Sequence, residues 1–116
     1  MSDKPFNDLG TAVFNNAVNK GWWSEPKETW EQLIPMKIAL MHSELSEALE
    51  EYRNGHGAAE VYFKDGKPEG IPIEIADLVI RALDFCHAYE IDIDAAIKQK
   101  TEYNSKRPYM HGGKKV

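Results

Sequence analysis

The chain has a single cysteine, Cys86. No disulfide can form within it, and the apolar run around Cys86 marks a buried free thiol. No apolar run approaches the roughly 20 residues that span a bilayer, so a membrane is not an expected partner. A basic excess is also missing: 14 Lys and Arg stand against 19 Asp and Glu, a formal net charge of −5. A nucleic-acid polymer needs a basic face to neutralise its phosphates, so that partner class is not expected either. A small phosphorylated molecule stays open, because a divalent cation can screen acidic residues from its charge. Internal repeats and low-complexity segments are lacking. Met1 is followed by the polar residues Ser2, Asp3 and Lys4, so no secretory leader is expected and a reducing, cytoplasmic setting is.

What is present is an ordinary globular composition, 42% hydrophobic and 28% charged over 116 residues. That is enough for one domain, 1–116, with a large surface for its volume. Four helices are expected. In the first, 6–20, Phe6, Leu9, Val13, Phe14, Ala17 and Val18 recur at helical spacing, and Gly21 stops it. Trp22 and Trp23 follow in a turn. A short helix near Glu28 should break before Pro35, since proline fits only a first turn. A long helix then runs 35–53. Residues 55–70 form a loop in which Asp65-Gly66 predicts a small hairpin. The third helix, 72–89, is apolar almost all round and should be buried on most sides. The fourth, 93–106, takes Asp92 as N-cap and offers only a thin apolar face. Residues 108–116 make a basic, glycine-containing tail. An all-α four-helix bundle follows. Its small size and thin fourth helix favour burial against a second subunit.

The chemistry lies in two acidic pairs. Glu44-x-x-Glu47 and Glu74-x-x-Asp77 each place two carboxylates on one side of a helix. If those helices are antiparallel, all four converge. Uncompensated carboxylates near a core are costly, and a hard divalent cation removes the cost. The plainer readings are a solvated face for the first pair and an ion pair with Arg81 or a partner helix for the second. A di-iron centre would need Glu-x-x-His on two helices, and the chain has none.

The paired motif, with the stretch 48–73 between its halves, resembles the all-α nucleoside triphosphate pyrophosphatases. His42-Ser43-Glu44-Leu45-Ser46-Glu47 and Glu74-Ile75-Ala76-Asp77-Leu78-Val79-Ile80-Arg81 look like the MazG-like branch, as does Tyr103-Asn104-Ser105-Lys106-Arg107-Pro108. The resemblance spans 14–115. It implies magnesium, with Mn2+ as a substitute, on Glu44, Glu47, Glu74 and Asp77. It also implies water attack that yields a nucleoside monophosphate and pyrophosphate, with Glu47 or Glu44 as the base. Lys100 and Arg107 would meet phosphate, Asn104 the nucleoside. Arg81 would contact phosphate or orient Asp77, and the backbone before Lys114 offers further donors. Trp22 or Trp23 would stack on the base, helped by Asn16. Several relatives carry a histidine on the first helix where Asn15 and Asn16 stand here, which leaves the base open. A homodimer or homotetramer is implied. The alternatives are phosphoribosyl-ATP hydrolysis and a non-catalytic helical interaction or regulatory module.

Overall fold

A computed structural model describes residues 2–108; the expected role of Lys114 lies outside them. Four α-helices form where the periodic runs place them: α1 (Pro5–Asn19), α2 (Ile34–Arg53), α3 (Ile71–Ala88) and α4 (Ile93–Ser105). A 3-10 helix, Lys27–Leu33, leads into α2. Pro5, Pro35 and Pro72 all sit in first turns, where a missing N–H is harmless. The protein is thus mostly helical, with one small antiparallel hairpin, β1 (Tyr62–Lys64) and β2 (Lys67–Glu69), paired Tyr62↔Glu69 and Lys64↔Lys67 around Asp65-Gly66. No helix among the described residues is long and apolar enough to cross a membrane.

Helix α3 is the centre. Glu44 of α2 meets Arg81 of α3, while Glu51, two turns later, lies beside Glu74, two turns earlier. The two helices therefore run antiparallel. Helix α1 crosses the other side of α3 at Gly10, where an added Cβ would stand 3.1 Å from the Leu83 carbonyl oxygen. At one end Phe14, Trp23, Trp30, Phe85, His87 and Tyr89 form an aromatic cluster with ring centroids 4.6–6.3 Å apart. Trp23 is buried there, and Cys86 is buried on α3.

The third helix is less covered than its composition predicts. Ile75, Val79 and Ile80 remain 40%, 45% and 45% exposed. Helix α4 packs mainly on α1, and the flank of α3 that carries Ile75 and Val79 stays uncovered among the described residues. What fixes α4 to α1 is polar. Asp92 caps its own helix through the Ala95 N–H and accepts from the Asn7 side chain, while Asn7 Oδ1 accepts from the Ile93 N–H. Asp94 in turn accepts from the N–H groups of Phe6 and Asn7 at 3.2 and 2.7 Å. It thereby caps α1, whose own N-cap residue, Lys4, supplies no side-chain acceptor. Loss of a cap costs about 1 kcal/mol, so Asp94→Ala is expected to lower stability by ~1–2 kcal/mol in urea unfolding. The Asn7, Ala95 and Lys4 donors hold the Asp92 carboxyl down at about 2. Its contribution should be complete above about pH 4 and fade as pH falls toward that value.

Candidate metal centre and adjoining cavity

The antiparallel pairing of α2 and α3 brings the acidic pairs together. Glu44, Glu74 and Asp77 each present a carboxylate oxygen within 4.8 Å of the others. The Glu47 carboxyl faces that of Glu74 from the open side of α2. Glu44 and Glu74 are only 5% and 8% exposed. Glu44 Oε1 accepts from Arg81 Nε at 2.8 Å, but Glu44 Oε2 and Glu74 Oε2 are buried with no hydrogen-bond partner among the described residues. Buried polar atoms are rarely left so.

The electrostatics follow from this crowding. Burial, then the neighbouring Glu47 and Glu44 carboxyls and the Asp77 charge, push the Glu74 carboxyl up to about 8. Asp77 is raised, first by burial and then by the Glu44 charge. Burial works upward on Glu44 too, but the hydrogen bond from Arg81, reinforced by its Glu74 and Glu47 contacts and by the Arg81 charge, brings it below the usual carboxylate range. A cluster of this kind fits a hard divalent cation. Its donors are all oxygen, its carboxylates outnumber the cations that act on them, Arg81 and, at Asp77, Lys67, and two of its oxygens lack a partner among the described residues.

A cavity of about 460 Å³ opens beside Asp77 and Arg81 and runs to Trp22 and Trp23. The adjacent indoles divide the work. Trp23 is 6% exposed, takes a φ of +62°, and donates Nε1–H to both Asp84 carboxylate oxygens at 3.0 Å. Trp22 is 55% exposed. Asn16 also lines the cavity. Lys37 lies 4.0 Å from the Trp23 ring centroid and 5.8 Å from that of Trp22, a cation–π arrangement. Sequence reading passed over Lys37, although it stands two turns before Glu44 on the same face of α2. It also passed over Asp84 as the partner of Trp23.

Arg81 donates its Nε–H to Glu44, lines the cavity, and its charge also acts on Asp77. Lys100, Asn104 and Arg107 are exposed on or just past α4 and do not line the cavity of their own chain. Lys100 and Arg107 instead flank the Tyr103 ring, at 4.9 and 5.7 Å from its centroid. His42 is exposed. Compared with known proteins, the chain matches no family model, no curated protein and no solved structure.

Proposed function

We propose that the protein is a magnesium-dependent nucleoside triphosphate pyrophosphohydrolase of the MazG-like, all-α kind, acting on ribo- or deoxyribonucleotides in nucleotide-pool house-cleaning. The observation that carries this reading is the pair of buried carboxylate oxygens of Glu44 and Glu74 without a hydrogen-bond partner among the described residues, grouped with Asp77, which itself lines an indole-walled cavity. An anionic, aromatic-ended ligand with its own metal suits both halves. Glu44, Glu47, Glu74 and Asp77 would hold the ion, Mg2+ or Mn2+. When bound, it neutralises triphosphate charge and acidifies the attacking water.

Arg81 fixes Glu44 in place, which leaves Glu47, on the open side, as the carboxylate that accepts the water's proton. The water oxygen bonds to the α phosphorus, the α–β bridging bond breaks, and pyrophosphate leaves with the electron pair. Trp22 stacks on the base, with the Lys37 ammonium 5.8 Å from its ring centroid. Lys100, Arg107 and Asn104 would serve from a second copy of the chain, in a homodimer or homotetramer that also covers Ile75 and Val79.

The test is pyrophosphate release from a panel of standard and modified nucleoside triphosphates, with and without Mg2+. Release that needs the ion supports the reading. Activity on phosphoribosyl-ATP alone would replace it with that reaction, and silence on every substrate with a non-catalytic role. Base–aromatic stacking is worth about 1–3 kcal/mol. Trp22→Ala is therefore expected to raise KM by about tenfold or more with kcat nearly unchanged in steady-state assays.

A further inference from the structure

The hairpin carries chemistry that the reading above leaves unused. Glu51 of α2, Glu69 of β2 and Glu74 of α3 also present carboxylate oxygens within 4.8 Å of one another. We propose that they form a second divalent-cation site, sharing Glu74 with the first. The proposal rests on the reading of Glu44, Glu74 and Asp77 as a cation site.

Three observations support it beyond the clustering of acids. Glu74 is 8% exposed and its Oε2 is buried without a hydrogen-bond partner among the described residues. The Tyr62 hydroxyl donates to Glu51, at 3.0 Å from Oε1 and 2.8 Å from Oε2. One proton shared between two oxygens leaves lone pairs on both. The hydroxyl also fixes how the carboxylate faces, the part an outer-shell donor plays at a metal centre. Finally, the local cations are poorly placed to neutralise the group. Lys67 Nζ is 3.8 Å from Glu69, and His56 Nε2 is 3.8 Å from Glu51, while His56 Nδ1 is committed to Glu60 at 2.9 Å. Charge-assisted bonds that satisfy a carboxylate are about 2.7–2.9 Å long.

An all-oxygen donor set calls for a hard ion: Mg2+, Mn2+ or Ca2+. Two ions bridged by one carboxylate form the arrangement that clamps both ends of a phosphoryl displacement. The second ion also ties the hairpin to the helical body through Glu69.

Mn2+ binding to the full chain, followed by electron paramagnetic resonance without nucleotide, tests this. Two ions per chain are expected for the wild type. Glu51→Gln and Glu69→Gln should each bind one ion fewer, with circular dichroism melting to establish that they fold. Tyr62→Phe, which keeps every carboxylate, should weaken one ion about tenfold. Wild-type stoichiometry and affinity in both glutamine variants would overturn the second site. Loss of an ion in those variants but not in Glu44→Gln would uphold it while removing the first. No Mn2+ binding by the wild type would remove both.

Discussion

Glu74→Gln is expected to abolish magnesium-dependent pyrophosphate release, lowering kcat/KM by at least ~10³-fold. Glutamine keeps the shape but removes the charge at the centre of the cluster, where Glu74 faces Glu47, Glu44 and Asp77. The same substitution should act on the metal-free fold in the opposite sense. The Glu74 carboxyl is held near 8 in the folded chain, against about 4.3 when unfolded. The folded state thus binds the proton more tightly. The stability it gains is complete below the unfolded value and is lost as pH rises toward 8. In EDTA, the wild-type Tm should fall between pH 5 and pH 9, and the variant's should fall much less. Added Mg2+ should restore the wild type at the alkaline end and leave the variant where it was. A wild-type Tm that is flat over this range would show that the cluster is not strained without its ion.

Gly70→Ala should be the most damaging glycine-to-alanine change among the described residues. Gly70 has a φ of +122° and opens α3, its carbonyl accepting from the N–H groups of Ile73 and Glu74. A Cβ there collides with the Glu60 carbonyl oxygen. Positive φ and a backbone clash together should cost about 3–5 kcal/mol in denaturant unfolding. Gly55→Ala is the control: its φ is also positive, at +92°, but an added Cβ meets nothing within 4 Å, so about 1 kcal/mol is expected. Gly70 joins Glu69 to the first turn of α3, so Mg2+ affinity should fall in the Gly70 variant even where it still folds.

The helices were legible because their signals are local. Proline in three first turns, Asp92 as a cap and Asp65-Gly66 as a turn are all read within a few residues. The convergence of Glu44 with Glu74 and Asp77 was legible because i, i+3 spacing fixes a face and antiparallel pairing does the rest. What escaped depends on contacts distant in sequence. Asp94 caps a helix that starts at Pro5, and Glu69 meets Glu51 only because the hairpin folds back. Two adjacent tryptophans look alike in sequence; the positive φ at Trp23 and its bond to Asp84 decide which one is buried. The coverage of α3 was overestimated because an apolar helix does not say which element, if any, covers each of its flanks. In the structure α4 went mainly to α1.

The antiparallel pairing of α2 and α3 has a kinetic side. Every carboxylate of the acidic cluster lies between Glu44 and Asp77, inside one helical hairpin closed by the segment 54–70. Such a unit needs little loop closure and can form early, ahead of α1 and α4. The repulsion among its carboxylates is then felt while the chain is still folding. An early-binding divalent ion would speed the folding step itself rather than only slow the reverse one.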